Sequence, residues 1–226
     1  PQNLYLYAFY SMNIGEFFSV TLPLTLLSLI VLIIASIPLL PKTMQQQSIA
    51  RAMISSTRDL LIFLALFGLC LLTVFKVVSY LVTTAIVVLV LLLLNRKLLK
   101  EIDFMLLLTF VCFFTVSENL GRIEVVREFL QQLLRWNTLF TAVITSQVIS
   151  NVPDAVVLSG FTDQWQQLLA GVNIGGLGTP IASLASLITI KFYMGRTDAK
   201  MLHFFGYFTL VNVVMLAILL LFAWMI

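Results

Sequence analysis

Cysteine is almost missing: Cys70 and Cys112 are the only two in 226 residues, and both sit within apolar runs. Neither is near a His or a carboxylate pair, so a disulfide framework and a cysteine metal centre are both excluded. Charge is scarce too, at 10% of residues against 61% hydrophobic. Mean hydropathy is +1.07. No water-soluble core of this length needs so much apolar material. The chain reads as an all-α, polytopic membrane protein. Its net charge of +3 does not point to nucleic acid, because the basic residues lie in short clusters between apolar runs, as membrane topology places them. Nucleophile and metal signatures such as Gly-x-Ser-x-Gly, His-Glu-x-x-His and Gly-x-Gly-Asp do not occur, and the chain does not read as an enzyme.

What is present is a series of apolar segments. Phe17 to Pro38 exceeds the roughly 20 residues needed to cross the hydrocarbon core. Pro23 is expected in its first turns, and Pro38 and Pro41 at its end. A polar connector follows at 42–59. Leu60 to Leu94 is too long for one crossing, and Lys76 with Ser79 divides it into two helices joined by a tight turn. A further span starts at Phe104 and runs to about Ser117, and the last runs from Leu202 to Ile226, with the lone His203 at its polar entrance. Gly121 to Trp136 differs. Val126, Phe129, Leu130, Leu133 and Leu134 share one helical face, while Arg122, Glu124, Arg127, Glu128, Gln131 and Arg135 share the other, the pattern of a helix lying in the membrane interface.

Two clusters of helix-breaking residues fall between segments too short to cross alone. Ser150-Asn151-Val152-Pro153-Asp154 separates Leu139–Ile149 from Ala155–Phe161, the layout of a re-entrant hairpin. Asn173-Ile174-Gly175-Gly176-Leu177-Gly178-Thr179-Pro180 separates Trp165–Val172 from Ile181–Met194, the layout of one broken helix. Non-helical backbone survives at membrane depth only where protein buries it or it lines a cavity. Ser150 and Asn151 offer oxygens suited to a sodium ion and, through the Asn amide, a donor suited to an anion. Gly175, Gly176 and Gly178 allow close backbone approach, and a helix resuming at Ile181 would aim its positive end at the break. Ala182, Ser183, Ala185 and Ser186 read as a helix-packing face. Asp154 is open to two readings, an ion- or proton-carrying acid or a hydrated first-turn residue at a hairpin tip. Tyr5, Tyr7 and Tyr10 read as interface or packing aromatics.

The Ser-Asn-Val-Pro tip, the Asn-x-Gly-Gly-x-Gly-Thr-Pro break and the small-residue helix after it resemble the second half of the citrate-transporter-like, or ion transporter, superfamily. That group includes divalent anion/sodium symporters, arsenite permeases and some sodium/proton antiporters. Pro1-Gln2-Asn3-Leu4-Tyr5-Leu6 is similar to the tail of the matching break in the first repeat, so the chain reads as a piece of a longer protein, lacking its N-terminal half. The resemblance implies an inverted-repeat bundle. It also implies that Ser150 and Asn151 contact substrate and coupling ion, that Gly175 to Thr179 add backbone to the same site, and that Asn3 faces them. Val152 stands where the symporters commonly carry Thr, which argues away from a dicarboxylate.

The expected organisation is therefore residues 1–41 as the end of a first repeat, 42–59 as a cytoplasmic connector and 60–226 as a second repeat. The expected function is secondary active transport of a small anion by alternating access, coupled to sodium or protons. The alternatives are a cation/proton antiporter using Asp154 and a non-transporting membrane scaffold. Expected partners are the cargo ion, the lipid bilayer and the preceding half of the protein, with a homodimer allowed. No cofactor is expected beyond a sodium ion. Lys42, Arg51 and Arg58, then Arg96, Lys97 and Lys100, then Lys191, Arg196 and Lys200 gather on one face if the hairpin enters and leaves on one side. That predicts a plasma (inner) membrane protein with its C-terminus outside.

Overall fold

The computed structural model describes residues 2–37, 56–94, 96–102, 104–196 and 199–225. The described residues form α-helices joined by short turns, with a 3₁₀ turn at Pro180–Ala182 and no strand. This is an all-α membrane protein. Its contacts divide it into two compact units, Pro1–Leu40 with Thr109–Ile226, and Pro41–Leu108.

In the smaller unit, α3 (Thr57–Val74) and α4 (Tyr80–Leu94) are the two helices expected from Leu60–Leu94, followed by the short α5 (Arg96–Lys100). Ser56 caps α3 by accepting from the Asp59 N–H, a first-turn donor that would otherwise lack a partner. The turn passes through Lys76 at φ 60°. Helices α3 and α4 face each other through a hydroxyl pair, Thr73 with Thr83. At 15 residues, α4 falls short of the ~20 that a crossing needs. Most of the expected connector 42–59, with Pro38 and Pro41, lies outside the described residues.

The larger unit holds α1 (Gln2–Phe9), α2 (Ile14–Ser36) and, beyond α6 (Phe104–Arg122), which runs in from the smaller unit, α7 (Glu124–Trp136) through α12 (Met201–Met225). Helix α2 starts three residues before the expected Phe17, because Asn13 and Glu16 form a reciprocal capping box. Pro23 therefore sits in its interior rather than its first turns. Among the described residues three helices, α2, α3 and α12, are long and apolar enough to cross a membrane. The apolar part of α6, Leu107–Leu120, is shorter.

Helix α7 begins at Glu124. Its Leu130 and Leu134 are buried and Val126 packs beside them, as the amphipathic pattern requires, but Phe129 stays exposed.

The core of this unit is built from the short helices that the sequence marks as too short to cross. These are α8 (Thr138–Ile149), α9 (Asn151–Ser159) and α10 (Trp165–Gly175), with α1 packed against α9 and α10. Leu6, Ala155, Leu158, Leu168, Leu169 and Val172 form its fully buried centre. Tyr5 and Tyr10 fasten α1 to the end of α9. The Tyr5 hydroxyl pairs with Ser159 Oγ at 3.0 Å, and the Tyr10 hydroxyl donates to the carbonyls of Ser159 and Thr162 at 3.2 and 2.7 Å.

Candidate functional site

Helices α8 and α10 approach closely because both carry small residues four apart. A methyl group added at Gly171 would lie 2.7 Å from Ala142 Cβ and 2.9 Å from the Leu139 carbonyl oxygen; at Gly175 it would lie 2.7 Å from both Cβ and Oγ of Ser146. Such spacing brings backbones together where lipid supplies no hydrophobic drive for helix association. Gly171 was outside the motif reading, and so were Ala142 and Ser146. The signal was available in the matched i, i+4 small residues of neighbouring segments.

The first break is sharper than expected. Only Ser150 leaves helical geometry, at φ 71° and ψ 147°, a conformation close to glycine territory that costs a non-glycine residue about 1–3 kcal/mol. Asn151, Val152, Pro153 and Asp154 already belong to α9, a correction to the five-residue tip. Pro153 fits there because the first helical turn has no internal use for its missing N–H. No side chain caps the start of α9, so the leading amides of this buried helix end keep their donor capacity. Asn151 is buried, and its amide nitrogen lies where a methyl group on Gly176 would come within 2.6 Å.

Asp154 is not the hydrated tip residue of the first-turn reading. Its exposure is 0%. Ser146 Oγ donates to Asp154 Oδ2 at 2.9 Å, while Oδ1 has no hydrogen-bond partner. A buried carboxyl oxygen left unpaired is costly, and such acids at membrane depth usually serve ion or proton movement.

The second break also shifts. Asn173 and Gly175 lie within α10, and the helix ends at Gly176. Gly178 takes φ 104°, Pro180 opens the 3₁₀ turn Pro180–Ala182, and α11 (Leu184–Met194) begins at Leu184 rather than Ile181. Ser183, expected on a packing face, is instead its cap and accepts from the Ser186 N–H. The break is held by Gln147, which sequence reasoning missed. Its Nε2 donates to the carbonyls of Gly175 at 2.8 Å and Leu177 at 3.0 Å, and its Oε1 accepts from the Thr179 N–H at 2.9 Å. Thr179 Oγ1 donates back to the Gln147 carbonyl at 3.2 Å. Ser150 Oγ donates to the Ala182 carbonyl at 3.3 Å, joining the two breaks directly.

Asn3 does reach this region. Asn173 Nδ2 donates to Asn3 Oδ1 at 2.7 Å, one turn before the break rather than at it. The structure thus gathers Ser150, Asn151, Gly176 and Thr179 around the meeting of three helix ends, with Asp154 buried behind them and Asn3 with Asn173 to one side. Among the described residues no three His, Cys, Asp or Glu side chains cluster as a metal site. The meeting point instead offers uncapped amides at the start of α9, suited to an anion, and hydroxyl and carbonyl oxygens at the other ends, suited to a hard cation.

Comparison with known proteins agrees with a membrane setting. The chain is 35% identical over 196 residues to a protein of Methanocaldococcus jannaschii named as an uncharacterized transporter, a match covering 87% of this chain and 53% of that protein. It is 33% identical over 102 residues to the inner membrane protein YbiR of Escherichia coli, covering 44% of this chain and 27% of that one. The chain therefore spans about half the length of its archaeal relative. No family model and no solved structure matches it.

Proposed function

We propose that this chain is half of a secondary active transporter that moves a small inorganic or organic anion by alternating access, coupled to sodium or protons. The observation that carries this reading is Asn151, at the uncapped start of α9, lying against Gly176 at the end of α10. Opposed helix ends of this kind hold charged solutes and their coupling ions in membrane transporters. The name of the archaeal relative supports transport as the activity. Under this reading α8–α9 is a re-entrant hairpin in the plasma membrane, and the basic clusters around Lys97 and Lys191 face the cytoplasm, which places the C-terminus outside.

The test is uptake by the full-length protein in liposomes, with a panel of anions and imposed sodium or pH gradients. Asn151→Ala should abolish uptake while insertion stays normal, since its amide serves the site rather than the packing. Uptake at the wild-type rate would make the tip an ordinary turn.

A second reading, cation/proton antiport through Asp154, is favoured by one observation: the carboxyl is fully buried with Oδ1 unpaired. Asp154→Asn separates the two, because Asn keeps an acceptor for Ser146 and removes the charge. Anion symport predicts largely intact maximal uptake. Loss of all sodium- or pH-driven flux, with normal insertion, would select the antiporter.

A further inference from the structure

A cavity of about 510 Å³ opens within the larger unit between α1, the last turns of α6, the start of α7 and the end of α9. Neither helix break contributes to it. Its walls include four aromatic rings, those of Tyr5, Phe9, Phe114 and Phe161. The Tyr5 ring centre stands 5.6 Å from those of both Phe9 and Phe114, which ties α1 to α6. The charged side chains in the lining are Arg122, Arg127 and Glu118.

Polarity changes in one direction along the α6 wall. Phe114, Glu118 and Arg122 follow one another on one helix face at i, i+4 and i+8, over about 12 Å of axis. Phe114 lies inside the apolar part of α6, Leu107–Leu120, and Arg122 just past its end. The lining therefore passes from ring to guanidinium where the helix leaves its apolar stretch, and the amphipathic α7 adds Arg127.

The hydrogen bonds leave the arginines as the donors for a ligand. Ser159 Oγ donates to the Val156 carbonyl at 3.0 Å, so in its pair with Tyr5 the phenol is the donor, and both hydroxyl hydrogens are committed. Arg122 Nη2 donates to Glu118 Oε1 at 2.6 Å, which uses one N–H of the guanidinium and leaves the others. Arg127 enters no ion pair among the described residues. Two guanidinium groups against one carboxylate leave a single net positive charge in the lining. A phosphodiester has one negative charge and two oxygens open to arginine, so it matches that charge where a dianion does not. A small soluble anion would leave the aromatic walls unused; the apolar body of a lipid would cover them.

We propose that this cavity binds an anionic phospholipid, its phosphodiester held by Arg122 and Arg127 and its apolar body laid along Phe114 and Phe9. Basic pockets between membrane helices take anionic headgroups in this way. The site is separate from the Ser150–Asn151 tip, and it goes beyond the transport reading without depending on it.

The test uses the purified full-length protein, delipidated in neutral detergent, with thermal unfolding followed as phosphatidylglycerol or phosphatidylcholine is added to the micelles. A ligand that binds only the folded state raises its apparent stability. Phosphatidylglycerol should half-saturate at a concentration about tenfold or more below phosphatidylcholine, and Arg127→Gln should erase that preference. Arg127 is exposed, so the variant should fold. Gly160→Leu tests shape with both arginines kept. An added Cβ there meets only the Val157 carbonyl, at 3.8 Å, and the backbone is ordinary at φ −73°, so the side chain is tolerated while it takes up cavity space. It should weaken phosphatidylglycerol binding about as much as Arg127→Gln does. Arg135→Gln removes an equal charge from α7 outside the cavity and should leave the preference intact. Equal stabilisation of the wild type by the two lipids would overturn the site. So would as large a loss in Arg135→Gln as in Arg127→Gln, or wild-type affinity in Gly160→Leu, either of which marks unspecific surface attraction. Glycerol phosphate stabilising as strongly as phosphatidylglycerol would show a site for a soluble anion instead of a lipid.

Discussion

Besides α1–α2 at Ser11, two helix pairs among the described residues turn at a non-glycine residue with positive φ: α3–α4 at Lys76 and α8–α9 at Ser150. Otherwise they share little. Helices α3 and α4 run 18 and 15 residues, and Thr83 alone is buried among them. Helices α8 and α9 run 12 and 9 residues and bury most of their length, polar Thr138, Ser146, Asn151 and Asp154 included. The first pair is apolar and exposed among the described residues. The second is less apolar yet more enclosed, so in this protein burial by neighbouring helices does not follow hydrophobicity.

Glycine substitution should break that contrast most strongly. Gly175→Leu drives a side chain into Ser146 and the Ala142 carbonyl, whereas an added methyl at Gly68 in α3 meets nothing within 4 Å. The first should cost about 3 kcal/mol or more, seen as loss of folded protein on size-exclusion chromatography; the second should leave the elution profile unchanged. Equal behaviour of the two would show that α8 and α10 are not closely packed.

The two buried hydroxyl contacts come next. Ser146→Ala removes the one hydrogen bond to a buried carboxyl and should destabilise by about 2 kcal/mol. Thr83→Val removes a hydroxyl pair between α3 and α4 and should cost only about 0.6 kcal/mol, the average for such bonds in membranes. Reversible unfolding in mixed micelles measures both, and a larger loss for Thr83→Val would invert the comparison.

At the turns the sign reverses. Ser150→Gly and Lys76→Gly each relieve a positive φ and should stabilise by about 1 kcal/mol. The gain should be greater at Ser150, whose ψ of 147° lies in a region suited almost only to glycine. A destabilised Ser150→Gly would mean that the hydroxyl's bond to Ala182 outweighs the strain.

The sequence made the coarse layout legible because membrane length limits and helix breakers act locally. The paired α3–α4, the amphipathic α7, the two breaks and the α12 span could all be placed. What it misplaced depends on partners distant in the chain. Asn173 and Gly175 read as loop residues, yet α10 continues through them because Ser146 and Ala142 accept a close helix there. Gln147 looked like one polar residue in an apolar arm, and nothing local shows that the carbonyls of Gly175 and Leu177 stand opposite it. Asp154 reads as either a hydrated tip residue or an ion-carrying acid, and its burial against α8, where Ser146 donates to it, is what local sequence does not show.

Gln147 has a mechanical consequence. One side chain from α8 grips the second break at a carbonyl before the glycine turn, a carbonyl within it and an amide beyond it. With the close seat of Gly171 and Gly175 on Ala142 and Ser146, this clamp leaves α8 and the broken segment little freedom to slide past each other. Under the transport reading the two would travel as one piece, and a sliding surface would lie outside it.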